Sequence, residues 1–285
     1  DARAYPIQIV TWHEVVNDVV GGVPVLVTFF PLCNTGIAFD RTVNGQVFEF
    51  GTSGLLRFSN LIMYDRTTET WWQQVGGEAI VGELTGTRLK LLPASIVSWE
   101  DFRTSFPNGQ VLSRETGFTR DYGRNPYTGY DDIDSAPFLF VGPDDDRLRP
   151  VERVVTVSIG DEAAAYPFLE LEMVPVVNDT VGGTPLVVFF TKGTLSGLDS
   201  SIIAASRDVG AGVVYSRVAD GRELTFEADG DLFMDNETGT SWNILGQAVQ
   251  GPLSGTTLEP VLHANHFWFA WAAFKPDTTI WRASA

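Results

Sequence analysis

Short apolar runs alternate with turn residues along this chain, and that spacing predicts strands more often than helices. Residues 25–30 (Val-Leu-Val-Thr-Phe-Phe) and 186–190 (Leu-Val-Val-Phe-Phe) are apolar runs of strand length, the pattern of strands covered on both faces. Residues 152–159 alternate β-branched side chains and predict a strand that runs into a turn at Gly160-Asp161. Asn44-Gly45 and Asp220-Gly221 predict type I′ hairpins, because both central residues of that turn need positive φ, and Asp229-Gly230 predicts another. Thr11-Trp12-His13-Glu14 has capping-box spacing and predicts a short helix through about Val16, ended by Gly21-Gly22. Residues 99–106 and 268–274 predict two more short helices, stopped by Pro107 and Pro276. The sum is a mostly β fold with minor helices.

These signals occur twice. Residues 5–37 lie over 166–198 at a constant offset of 161, with 13 of 33 positions identical, among them Tyr5/Tyr166, Asn17/Asn178, Asp18/Asp179 and Gly36/Gly197. A second block follows near offset 170, through Asp65/Asp235, Thr68/Thr238, Thr70/Thr240 and Trp72/Trp242, and slips by one residue to reach Trp99/Trp268 and Pro107/Pro276. The expected architecture is two tandem diverged repeats, each a small barrel- or sandwich-like unit, packed together. The first repeat takes residues 1–112, an ordered Tyr-, Gly- and Pro-rich connection takes 113–151, and the second repeat takes 152–285. Nothing before Asp1 matches the strand predicted at 152–159, so the first repeat is expected to lack its first strand unless that strand is supplied from elsewhere. The tyrosines of the connection are expected to pack on the two units.

Composition narrows the function. The chain has 285 residues, enough to bury a core without disulfides or a structural metal. Its 19 basic and 36 acidic residues give a net charge of −17, which repels phosphate backbones and excludes nucleic acid as a partner. The longest apolar stretch is broken by Pro24, Pro31, Asn34 and Thr35, short of the ~20 residues of a membrane span. One cysteine excludes an internal disulfide and a Cys-x-x-Cys pair. No phosphate-loop, dinucleotide or Gly-x-Ser-x-Gly pattern occurs, so neither a nucleotide nor an organic cofactor is expected. Asp131-Asp132-x-Asp134 and Asp144-Asp145-Asp146 lack calcium-loop spacing and read as solvated acidic turns. Trp72/Trp242 and Trp99/Trp268 recur at matching places and read as core.

Tyr5-Pro6, Trp12-His13-Glu14, Asn17-Asp18, Gly21-Gly22-x-Pro24 and Pro31-Leu32-Cys33-Asn34-Thr35 form a specific series. With Ser59-Asn60-Leu61-x-Met63-Tyr64-Asp65, Thr116-Gly117-Phe118 and His263-x-x-His266-Phe267-Trp268, it resembles the uncharacterised domain-of-unknown-function family numbered 3179 over nearly the whole chain. The resemblance implies an exported or envelope-associated protein, hence an extracytoplasmic location, and no assigned activity. It also implies Cys-Pro-Leu-Cys at the end of the first buried strand, whereas this chain has Phe30 at the first of those positions and keeps only Cys33.

Cys33 and all three histidines fall inside these motifs at positions that the other repeat does not share: His13 aligns with Val174, Cys33 with Thr194, His263 with Ala94 and His266 with Val97. Thiolate and imidazole donors kept once each suggest a composite copper or zinc site between the repeats, with Cys33, His263 and His266 as ligands and His13 as a fourth ligand or an orienting partner. Cys33 with a histidine base would also make a thiol nucleophile. The competing reading is a metal-free structural or protein-interaction module of a cell-envelope assembly, in which the same residues pack and hydrogen-bond.

Overall fold

The computed structural model describes residues 1–137 and 139–283. The N-terminal region runs β1 (Arg3–Ala4), α1 (Ile7–His13), β2 (Val15–Val20), β3 (Val23–Phe30), β4 (Thr35–Asp40), β5 (Thr42–Val43), β6 (Gln46–Val47), β7 (Phe50–Arg57), β8 (Asn60–Asp65), β9 (Trp71–Gln73), β10 (Glu78–Val81), β11 (Lys90–Leu92), α2 (Trp99–Ser105) and β12 (Gln110–Val111). Two four-stranded sheets, β11-β4-β3-β2 and β10-β9-β8-β7, carry its core, and β1 pairs in parallel with β12. After the irregular segment 113–151 come β13 (Arg153–Ile159), β14 (Glu162–Pro167), α3 (Phe168–Leu171), β15 (Val176–Val181), β16 (Thr184–Thr191), β17 (Ala211–Ser216), β18 (Val218–Ala219), β19 (Arg222–Glu223), β20 (Phe226–Asp229), β21 (Leu232–Asp235), β22 (Ser241–Trp242), β23 (Ala248–Gln250), β24 (His263–Phe267), α4 (Trp268–Ala272) and β25 (Thr279–Ile280). These form the sheets β15-β16-β17, β20-β21-β22-β23 and β24-β13-β14-β25. The protein is mostly β, with four small α-helices among the described residues.

The two regions use the same bonds at matching residues. Tyr5 donates to Asp18 Oδ2 at 2.7 Å and Tyr166 to Asp179 Oδ2 at 2.8 Å. The Asn17 side chain bonds both backbone groups of Phe50, and Asn178 does the same at Phe226, stapling β2 and β15 to the next sheet of their regions. Asp65 caps the turn to Thr68 and accepts from the Trp72 indole at 3.0 Å; Asp235 does so with Thr238 and Trp242 at 2.9 Å. A core that contains Leu26, Phe39 and Trp72 of the first region also takes in Leu198, Phe267 and Phe269, so the two regions share buried apolar surface.

Several expectations change. Thr11-Trp12-His13-Glu14 ends a helix instead of starting one. Ile7–His13 begins at Pro6, Thr11 is buried within it, and Glu14 turns the chain at φ 61° so that Val15 enters β2. Gly21-Gly22 then makes the β2–β3 hairpin. The alignment at offset 161 fails after the buried strands. Phe29 pairs with Gly36 in β4, but Phe190 pairs with Gly212 in β17, because residues 192–210 make an excursion that the first region lacks. Cys33 and Thr194 are therefore not structural counterparts. Trp99 is 55% exposed, against 0% for Trp268, so it is not core.

Candidate functional site

Where the two regions meet, polar side chains are buried inside apolar packing. Pro31–Cys33 form a single 3-10 turn after β3, and Asn34 follows in the left-handed region at φ 50°, which aims Cys33 inward and brings Thr35 to the start of β4. The Cys33 thiol is fully buried and donates to the Ser59 carbonyl at 3.1 Å. Thr35 Oγ1 lies 3.2 Å from the Cys33 carbonyl and 2.7 Å from His266 Nδ1, and so ties β4 of the first region to β24 of the second. Gln74 Nε2 donates to Thr28 Oγ1 and the Thr35 carbonyl, Asn60 Nδ2 to Gln74 Oε1, and Gln73 Nε2 to Asn60 Oδ1. These bonds offset the ~1–3 kcal/mol that an unpaired buried polar group costs, although Gln73 Oε1 and Ser59 Oγ are buried without a hydrogen-bond partner.

The structure separates the four proposed metal ligands. His266 belongs to the network beside Cys33; its ring also stacks on Trp271 at 5.2 Å, and burial pushes its pKa down to about 3, so it is neutral. Burial pushes the Cys33 thiol up, against a smaller opposing effect of Asn60, which disfavours the thiolate that a metal or a nucleophilic reaction requires. His263 turns elsewhere, with Nδ1 2.7 Å from the Val261 carbonyl and Nε2 3.4 Å from Ser95 Oγ. His13 bonds Tyr122 through Nε2 and packs on Phe118. No group of three or more His, Cys, Asp or Glu side chains among the described residues could hold a metal ion. The donors do not fit a shared copper or zinc centre. Cys33 and His266 both lie at the seam, linked through Thr35; His13 and His263 are held by other partners.

The chain matches, over residues 1–278, the family described as Protein of unknown function (DUF3179). It belongs to this family. No curated protein and no solved structure matches it. In this DUF3179 chain Phe30, at the position where the resemblance implies a first cysteine, is buried in the same apolar cluster as Leu32 and Cys33.

Sequence reasoning missed three further features. Asp131 is not a solvated turn residue. It is 1% exposed and takes Arg153 at 2.6 Å, Arg207 at 2.9 Å and the Ser196 hydroxyl at 2.5 Å. Burial alone would raise its pKa, but Arg153, Ser196 and Arg207 hold it below the usual carboxylate range. The pair fastens the connection to β13, and Arg153 lies over the Phe267 ring. Its only sequence signal was an arginine at the head of an apolar strand. Phe58 and Ser59 both take positive φ, 50° and 59°, at the β7–β8 turn that presents the Ser59 carbonyl to Cys33. A bulky residue there stores strain that Asn-Gly would not. Glu14 is pushed up to about 7 by burial alone.

Among the described residues no helix is long and apolar enough to cross a membrane.

Proposed function

We propose that this protein is a metal-free structural or protein-interaction module, built from two diverged copies of one unit and working outside the cytoplasm as part of an envelope assembly. The observation that carries the reading is the occupation of the Cys33, His266, His263 and His13 side chains by separate local partners, with the thiol kept neutral by burial. The recurrent Tyr–Asp, Asn–backbone and Asp–Trp bonds support descent from a duplicated unit. The extracytoplasmic placement rests on the resemblance alone.

Protein purified without chelator or affinity tag, reconstituted with copper or zinc and desalted, is expected to retain no stoichiometric metal and to melt at an unchanged temperature. A ligand that binds only the folded state must raise that temperature. One equivalent of retained metal, with a higher melting temperature that Cys33→Ser abolishes, would establish the copper or zinc site instead.

A further inference from the structure

Beside β1 lies a groove of about 1170 Å³, bounded on one side by Asp1, Arg3 and Tyr5 and on the other by Leu92, Ala94 and Ile96. Its counterpart in the second region is filled. There β13 runs between β14 and β24, antiparallel to both, and sends Val155 and Val157 into a core with Leu186, Val188, Phe190 and Val214. The matching residues of the first region, Val25, Val27, Phe29 and Ala38, line the groove. β1 occupies the place of β14, down to the parallel partner: Arg3 and Ala4 pair with Gln110 and Val111 as Ala164 and Ala165 pair with Thr279 and Ile280. Segment 94–98 occupies the place of β24 but forms no strand.

Two further observations point to the same occupant. Trp268 is buried in a cluster with Val154, from the other face of β13, whereas its match Trp99 is 55% exposed at the groove. At Gly212 an added Cβ would lie 2.3 Å from Val155 Cγ2; at the matching Gly36 the nearest atom is the tip of Ile96, at 3.3 Å, with the Phe29 ring at 3.7 Å.

We infer that the groove is a strand-binding slot, and that its occupant is an extended segment with alternating apolar residues lying immediately N-terminal to Asp1 in the same polypeptide. The connection fixes the source. Ile159 pairs with Glu162 across the two-residue turn Gly160-Asp161, and Asp1 holds the place of Glu162, with its carboxylate accepting from the Gly21 amide as Glu162 accepts from Gly182. A strand ending at that turn lies antiparallel to β1 and to 94–98 and completes a sheet of the β24-β13-β14-β25 kind, by the main-chain pairing used in strand addition. This inference does not depend on the interaction reading above, since a metal-binding protein would hold the same slot.

The test places a nine-residue copy of 153–161 ahead of Asp1 in the 285-residue chain. Docking is expected to raise the melting temperature, to slow amide exchange in 1–5 and 94–97, and to move Trp99 emission to shorter wavelength. The same extension with aspartate at the positions copying Val155 and Val157 is expected to do none of these. Unchanged exchange and emission with the apolar extension would overturn the slot. Protection by the free nine-residue peptide, with none from the fused copy, would overturn the assignment to the same polypeptide.

Discussion

At the residue scale two groups have burial that opposes their charge, Glu14 at the end of α1 and His266 at the seam, and they bend stability in opposite directions with pH. Glu14 titrates at about 7 in the folded protein and at 4.5 as a free side chain, so between those values the folded state binds more protons than the unfolded one. Stability from Glu14 is full below pH 4.5 and lost as pH rises through 7, by up to about 3 kcal/mol. His266 is lowered from 6.5 to about 3, so the unfolded state takes the proton first, and stability falls as pH drops from 6.5 toward 3. Urea titrations across this range should show Glu14→Gln gaining on the parent at alkaline pH and His266→Gln flattening the acid limb. A parent-like alkaline slope in Glu14→Gln would place that slope in another group. The sequence showed both residues in motifs, but it placed Glu14 as a helix-capping side chain, because local spacing carries no information on burial.

At the element scale, side-chain periodicity and turn chemistry gave the strands, and what they could not give was which strand lies beside which. The buried runs of β3 and β16 and the hairpins at Asn44-Gly45 and Asp220-Gly221 are where the pattern puts them. The identity run continued past Phe29 into false register because Gly197 sits where Gly36 would align, while pairing assigns that place to Gly212. A paired substitution separates the two. Gly212→Ala drives a Cβ against Val155 of the neighbouring sheet and should cost about 1–3 kcal/mol by overpacking. Gly36→Ala meets the flexible end of Ile96 at 3.3 Å and the Phe29 ring at an ordinary contact distance of 3.7 Å, and should cost less than about 1 kcal/mol. Equal losses in urea denaturation would mean that the two glycines answer to backbone strain in their strands and not to the strand that packs on one of them.

At the scale of the whole molecule, a net charge of −17 works against compactness as well as against nucleic acid. Exposed ion pairs such as Arg88–Glu78 and Arg149–Asp134 offset little of it, because each is worth ~0–1 kcal/mol in water. The Asp131–Arg153 pair is shielded from solvent, so salt reaches it least. Self-repulsion among the surplus carboxylates is spread over the surface, at separations that a Debye length of ~10 Å at 0.1 M salt already screens. Raising sodium chloride from low to moderate concentration should therefore stabilise the fold, with a melting-temperature gain of ~2–4 °C per kcal/mol of repulsion removed. Sucrose, which strengthens burial without screening charge, separates the two causes: a rise that saturates at a few hundred millimolar salt and has no match in sucrose is electrostatic. A melting temperature that falls with salt would show that the ion pairs, and not the excess of acidic groups, dominate the electrostatics of the folded state.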